Sequence, residues 1–303
     1  MTSLPAAEQN MSAEIWTTRR LLEWTADYFK NRSLENPRLE AELLLANALG
    51  TNRVGLYLKY DEIPSDSQRA KFRELVKRRA AGEPAAYLIG HKDFYSLDFE
   101  VNANVLIPRP ETETIVLEAV EYLRGRVKNS GEGVSYVLDI GTGSGALAVA
   151  IAKNVPGARL TAVDISAPAL ENARKNAQTH GVADRIDFRL SDLFAAIAPE
   201  EKFTLIVSNP PYVSRAEYES LDISVKNYEP RIALLSGESG TEIVERILAA
   251  APEHLEPNGR ILIEISPMIA EAALELLKAS PFGQFKIIND YAGRKRVISA
   301  VFG

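Results

Sequence analysis

Cysteine is absent from all 303 residues, which excludes thiolate catalysis, disulfides and iron–sulfur ligation by cysteine but leaves the compartment open. Histidine is nearly as scarce. His91, His180 and His254 are scattered, with no carboxylate or second histidine at ligand spacing, so the sequence predicts neither a metal site nor a hydrolase triad. Each reads as a surface or locally bonded histidine. No stretch is apolar for long enough to span a bilayer, and MTSLPAAEQNMSAEIW lacks a basic segment followed by an apolar one. A membrane association is therefore not expected, and the cytoplasm is the expected location. A formal charge of −6 does not mark the whole surface as a binder of polyanions.

What is present is the composition of an ordinary globular protein, 46% hydrophobic and 25% charged, long enough for two domains. Charge is unevenly spread. Residues 1–110 carry 15 basic and 15 acidic side chains, against 20 and 26 in the remainder. Within the first part Arg69, Lys71, Arg73, Lys77, Arg78 and Arg79 crowd around Glu74 alone, which reads either as a patch for RNA or an acidic partner, or as a solvated helix face.

The front of the chain is helical in pattern. Ile15, Leu22, Ala26 and Phe29 recur near helical spacing; Pro37 to Leu49 reads as a second helix with Leu39, Leu43 and Ala46 on its stripe; and Ser67 to Arg79 reads as a third, with Phe72, Leu75 and Val76 inward. From Tyr87 to Pro108 the period shortens to that of strands or a hairpin joining two domains. Pro108 and Pro110 then stiffen the backbone around Arg109, and a helix follows to about Leu123. After a polar break at Lys128 to Gly133, strands and helices alternate, and the last two segments, Phe285 to Ile288 and Arg296 to Val301, read as strands. This predicts an α/β fold, a doubly wound and mostly parallel sheet with its last strand inserted antiparallel.

Three loops of that sheet carry chemistry. The strand Tyr136 to Ile140 runs into Gly141-Thr142-Gly143-Ser144-Gly145, whose glycines let a ligand lie against backbone N–H groups where strand turns to helix. The spacing is neither GxGxxG nor GxxxxGK[ST], so no phosphate is required. Asp164, at the end of the next strand, can accept from both hydroxyls of an adenosine ribose. In the loop after the third strand, Asp192 reads either as acceptor for an adenine amine, with Leu193 against the ring, or as a helix cap.

The fourth strand, Phe203 to Val207, ends in Asn209-Pro210-Pro211-Tyr212. Both prolines lack an N–H, so this turn presents carbonyl oxygens and the Asn209 amide. Asn209 Oδ1 and the Pro210 carbonyl can hold both hydrogens of a planar NH2 group while the Tyr212 ring packs on it. The long segment from 213 to 239 reads as a cover over a substrate. An adenosine site beside an NH2 site, with no metal or base in evidence, points to methyl transfer from S-adenosylmethionine.

At this point the chain resembles the bacterial release factor glutamine N5-methyltransferase family. The resemblance rests on NPRLEAELLLANALG (36–50), GEPAAY (82–87), GHKDF (90–94), LIPRPETE (106–113), VLDIGTGSG (137–145), Asp164, SDLF (191–194), VSNPPY (207–212) and EPRIA (229–233). GTGSG and NPPY are shared by many methyltransferases; LIPRPETE followed by both is far more specific. The resemblance implies a seven-stranded class I methyltransferase sheet over 109–303, a β-hairpin linker at 87–108 and a helical substrate-recognition domain at 1–86. It implies S-adenosylmethionine as methyl donor and S-adenosylhomocysteine as product. It implies cofactor contacts from Gly141, Thr142, Gly143, Ser144, Gly145, Asp164, Asp192, Leu193 and Asn209. The substrate, the glutamine of the Gly-Gly-Gln loop of release factors 1 and 2, would be held by Asn209, Pro210, Pro211, Tyr212 and Arg109.

The expected enzyme is a monomer that touches no membrane, with ribosomal RNA within reach of the 69–79 cluster. A ribosomal-protein glutamine methyltransferase would use the same chemistry, and an adenine or guanine amino-methyltransferase would use the same NH2 grip. One departure stands after Glu264. Ile265-Ser-Pro-Met268 replaces the glycine and glutamine usual there, and reads as backbone architecture only.

Overall fold

The structure, a computed structural model, describes residues 15–130 and 134–303, the side chains of 127–130 excepted. The N-terminal stretch read for a leader falls, up to Glu14, outside the described residues, as do 131–133 of the expected break. The chain forms two compact units, Met1–Ile89 and Gly90–Gly303, each with its own core.

The first unit holds α1 (Thr18–Lys30), α2 (Pro37–Leu49), α3 (Arg53–Leu58), α4 (Asp66–Ala80) and α5 (Ala85–Ile89). Thr17 caps α1 by accepting from Arg20 N, and Ser65 closes a capping box with Gln68 at the start of α4. Phe72, Leu75 and Val76 face inward as expected. The expected stripe of α2 is corrected: Leu39 is exposed and Leu43 half-buried, whereas Ala41, Leu44, Leu45 and Ala48 enter the core. Arg38, Glu40, Glu42 and Asn47 are spread around that helix and Glu42 is itself buried, so periodicity alone could not choose its buried face. Ile15 likewise stands outside α1 and exposed. Glu42, buried on α2, accepts from Tyr57 Oη at 2.6 Å, Arg53 Nε at 2.8 Å and Arg38 Nε at 3.0 Å, which together offset its burial and hold its pKa below the usual carboxylate range.

The basic cluster on α4 is largely neutralised inside this unit. Arg69 pairs with Asp66, Arg78 with Glu83 and Arg79 with Glu40, and Lys71 donates to the Asn47 carbonyl. Three of the six cations are thus committed to carboxylates.

The second unit begins with the hairpin β1 (His91–Phe94) and β2 (Leu97–Glu100), followed by a one-turn 3-10 segment, Pro110–Thr112, and α6 (Glu113–Ser130). Then come β3 (Ser135–Ile140), α7 (Ala146–Asn154), β4 (Ala158–Asp164), α8 (Ala167–Thr179), β5 (Ile186–Leu190), β6 (Phe203–Ser208) and β7 (Val213–Ser214). After the short helices α9 (Arg215–Ser220) and α10 (Ile223–Lys226) the chain continues as β8 (Leu235–Gly237), α11 (Glu242–Ala250), β9 (Leu255–Glu264), α12 (Ala270–Lys278), β10 (Phe282–Asn289) and β11 (Lys295–Phe302). The main sheet has the order β10-β11-β9-β6-β3-β4-β5. Its four inner pairings from β9 to β5 are parallel, and β11 lies antiparallel between β9 and β10, as the sequence predicts.

The chain runs outward from β3 through β4 to β5, then returns to the other side of β3 as β6. That reversal opens a crevice at the carboxyl ends of β3 and β6, the usual ligand position in such sheets. Gly145 makes the turn possible. It sits at φ +81°, and a Cβ there would lie 3.1 Å from Ala173 Cβ and 3.2 Å from its Cα. Substituting Gly145→Ala is expected to destabilise the protein by about 2–4 kcal/mol, from backbone strain and overpacking together. Urea unfolding of the full-length chain measures this, and a loss below about 0.5 kcal/mol would contradict the packing described.

Candidate active site

The reversal at β3 brings two of the sequence-predicted loops side by side. Ile140 and Ser208 are register partners, and Ser208 Oγ donates to the Ile140 carbonyl at 2.7 Å. Gly141 and Asn209 are the next residues along each strand, and both line one cavity with Thr142, Gly143, Ser144 and Pro211. Asp164, Asp192, Leu193 and Arg246 line it as well.

The cavity wall next to β3 is backbone. A Cβ on Gly141 would meet no atom within 4 Å, so this glycine borders open space rather than filled core. Behind it, Thr142 Oγ1 donates to Asp139 Oδ2 at 2.7 Å and Ala148 N donates to the same oxygen at 3.2 Å. Asp139 is fully buried and its Oδ1 makes no hydrogen bond. Burial pushes its pKa up to about 7, the neighbouring charge of Asp164 adding to the effect and its two hydrogen bonds opposing it.

Asp164 accepts from Ser166 N at 2.9 Å through Oδ1 and from Gly143 N at 2.8 Å through Oδ2. Burial raises its pKa against those backbone bonds. Each oxygen keeps one lone pair, so the carboxylate can accept from two further donors, as a ribose diol requires. Asp192, read as an adenine acceptor or a cap, instead meets Arg246 Nη2 with both oxygens at 3.0 Å. Leu193 sits at φ +51°, held there by a turn in which Ser191 Oγ donates to the Leu193 carbonyl. A branched-chain residue in the left-handed region, facing a cavity, is local strain at a candidate ligand position.

At the Asn209 turn, Asn209 Nδ2 donates to Thr112 Oγ1 at 3.1 Å. This fixes the amide so that Oδ1 is turned away from Thr112 as an acceptor. The other members of the tetrad divide. Pro211 lines the cavity, but Pro210 and Tyr212 do not. Tyr212 is half-buried against the hydrophobic core around β6 and β9, and its hydroxyl donates to Glu264 Oε1 at 3.1 Å. Burial, then the Glu264 charge, raise the Tyr212 pKa. Arg109 also turns away from the cavity, pairing with Glu229, which accepts from Ile107 N at 3.3 Å as well. That buried glutamate joins the 104–110 segment to the covering segment, of which Pro230, Ile232, Ala233 and Leu235 line the cavity.

Three contributors escaped the sequence reading. Glu264, at the end of β9, is fully buried; burial pushes its pKa up to about 7, while the Thr112 hydroxyl, Arg296 and Tyr212 lower it and Glu111 raises it. A lone carboxylate inside the apolar run ILIEI was the available signal. Asn176 on α8 donates through Nδ2 to the carbonyls of Ser144 at 2.8 Å and Glu100 at 3.0 Å, and accepts from Glu100 N at 2.8 Å. Arg246, the partner of Asp192, carried no signal. The histidines are held locally: His91 by the Asp98 side chain, His180 by its backbone carbonyl and His254 by that of Glu201. No group of three His, Asp or Glu among the described residues could hold a metal ion.

Two family models match, one described as PrmC N-terminal domain over residues 20–90 and one as Methyltransferase small domain over 122–226. A release factor glutamine methyltransferase from Rhodopirellula baltica is 47% identical over 285 residues, covering 94% of this chain and 96% of its own. One from Geobacter sulfurreducens is 41% identical over 290 residues, covering 96% and 98%. Among solved structures, the hMettl16 catalytic domain in complex with MAT2A 3'UTR hairpin 6 superposes with a TM-score of 0.53 at 15% identity, over 76% of this chain and 82% of that one, which supports the fold alone.

Asp139 and Glu264 predict a pH dependence of stability. Both ordinarily titrate near pH 4 when unfolded. With folded pKa values of about 7, the native state holds up to two more protons than the unfolded state between those limits. Stability should therefore fall as pH rises through that window, by up to about 1.4 kcal/mol per pH unit for each group. Urea unfolding at pH 5.5 and 7.5 tests this, and Glu264→Gln should show the smaller difference. A wild-type stability that rises between the two would refute it.

Proposed function

The chain belongs to the release factor glutamine methyltransferase family, and from that premise we propose how the residues of its cavity divide the work. It is an S-adenosylmethionine-dependent protein-glutamine methyltransferase, acting on the glutamine of the Gly-Gly-Gln motif of peptide chain release factors. The cavity suits the cofactor. Its glycine wall borders open space, and Asp164 keeps acceptor capacity for two hydroxyls.

When bound, S-adenosylmethionine supplies a methyl group activated by a positively charged sulfur. In this reading Asp164 binds the ribose hydroxyls, Leu193 packs on the adenine and Asp192, steadied by Arg246, borders the same end. The backbone of Gly141 to Gly145 carries the remainder. Asn209 Oδ1 accepts one hydrogen of the substrate amide and the Pro210 carbonyl the other. An amide nitrogen is a poor nucleophile because its lone pair is delocalised; two fixed acceptors on its hydrogens align the nitrogen and favour localisation of that pair. Pro211 narrows the opening. Tyr212 and Arg109 act from behind, Tyr212 by seating the turn on Glu264 and Arg109 by pinning the 104–110 segment to Glu229.

The observation that carries the reading is the shared register of Ile140 and Ser208, which sets an amide acceptor beside the glycine loop in one cavity. The helical unit is the proposed docking element for the release factor, with Arg73 and Lys77 of the basic cluster left for a polyanion nearby. The work is proposed to take place in the cytoplasm; among the described residues no helix is long and apolar enough to cross a membrane.

Labelled S-adenosylmethionine should mark wild-type release factor and leave unmarked a release factor carrying Gln→Ala in its Gly-Gly-Gln loop, ribosomal protein and nucleic acid. Equal labelling of the Gln→Ala substrate would overturn the assignment. Asn209→Ala should lower turnover by about 10²–10³-fold while cofactor binding is largely kept. Near-normal turnover in that variant would remove Asn209 from the chemistry.

A further inference from the structure

We propose that Glu264 is a positioning residue of this site, which acts through Thr112 to decide which end of the Asn209 carboxamide faces the substrate. The inference rests on the reading of Asn209 Oδ1 as acceptor for the substrate amide and deepens it. A carboxamide is nearly symmetric in shape but has an acceptor at one end and a double donor at the other. A site that must receive an NH2 group needs the oxygen outward, and shape cannot enforce that choice.

Hydrogen-bond direction can. Asn209 Nδ2 donates to Thr112 Oγ1 at 3.1 Å, and a hydroxyl that accepts there still has its own proton to place. Thr112 is buried at the edge of the cavity, where a protein acceptor for that proton is within the fold. Glu264 stands on that side of the site, because Ser208 and Ile263 are register partners on β6 and β9 and Asn209 and Glu264 are the next residues along. Its Oε1 already accepts from Tyr212 Oη at 3.1 Å, and its Oε2 is buried with no hydrogen bond, an acceptor in need of a donor. The Thr112 hydroxyl is among the groups that draw the Glu264 pKa down, as a donor close to a carboxylate does.

An ionised carboxylate accepts and cannot donate, so the chain can run only from Asn209 to Thr112 to Glu264. Oδ1 is thereby left for the ligand. A residue at 264 able to donate would permit the reverse order: Thr112 would give its proton to Asn209 Oδ1, and Nδ2 would confront the hydrogens of the substrate. Protonated Glu264 is such a residue. The charged and titratable groups around it are Arg296 on β11, itself paired with Asp290, Glu111 in the turn before α6, and Tyr212, on which Arg109 also acts. Arg296 favours the ionised form and Glu111 opposes it.

The test is methylation kinetics on release factor from pH 6 to 9 with wild type, Glu264→Gln, Thr112→Val and Thr112→Ser. Glu264→Gln and Thr112→Val should lower kcat by about 10- to 100-fold with little change in the KM for S-adenosylmethionine, and Thr112→Ser should restore most of it. The wild-type rate should fall on the acid side; that limb should vanish in Glu264→Gln and Thr112→Val and persist in Thr112→Ser. Merely structural roles for these residues would leave the limb in place. Wild-type kcat in Thr112→Val, or an acid limb surviving in both variants, overturns the positioning role while leaving the methyltransferase reading intact. Labelling of release factor without its glutamine would instead overturn that reading. Should Glu264→Gln fail to fold, the valine and serine variants at 112 decide the matter.

Discussion

The pairing of β3 with β6 is the constraint on which the rest of this molecule depends. A parallel strand pair has a definite register, and here the partners Ile140 and Ser208, tied also by a side-chain hydrogen bond, place two functional loops one residue beyond a common point. A slip of one residue would turn every side chain of β6 to the opposite face. Such a slip is resisted because all six residues of β6 are buried. The same packing that stabilises the sheet thus sets the distance between the glycine loop and the Asn209 amide. Site geometry here is a by-product of core geometry.

Carboxylates gather at the carboxyl edge of that sheet. Asp139 on β3, Asp164 on β4 and Glu264 on β9 are all raised in pKa, with burial the first cause in each. Burying acids is unfavourable unless donors meet them. Donors do meet them, but incompletely: one oxygen of Asp139 and one of Glu264 make no hydrogen bond. Residual acceptor capacity is a cost to folding. The site therefore works at some expense to stability, as sites that order polar groups away from water commonly do.

Much of this was legible in the sequence. A run of apolar residues ending in two prolines announces a buried strand whose chain must break, and strand-glycine-helix patterning announces the loop beside it. What local pattern could not convey was contact between distant segments. Arg109, expected at the substrate from the resemblance, pairs with Glu229, 120 residues away. Asp192 is met by Arg246 across 54 residues. Tyr212 was legible as a member of its motif, but the direction of its ring depends on the core behind β9. Glu264 was passed over because a strand end reads as architecture until the turn at Pro110–Thr112 is seen to pack on it. On α2 the difficulty was of another kind: polar residues spread around a helix, with Glu42 buried among ion-pair partners, leave no single apolar face to read.

Asn176 adds a mechanical dimension to the glycine loop. One amide holds the Ser144 carbonyl and both backbone groups of Glu100, so the root of the hairpin and the loop share a single tie. Elements fastened to one rigid group cannot loosen independently. A load applied to the hairpin is therefore carried into the floor of the cavity rather than dissipated along the chain, and a ligand that stiffens that floor stiffens the hairpin in return.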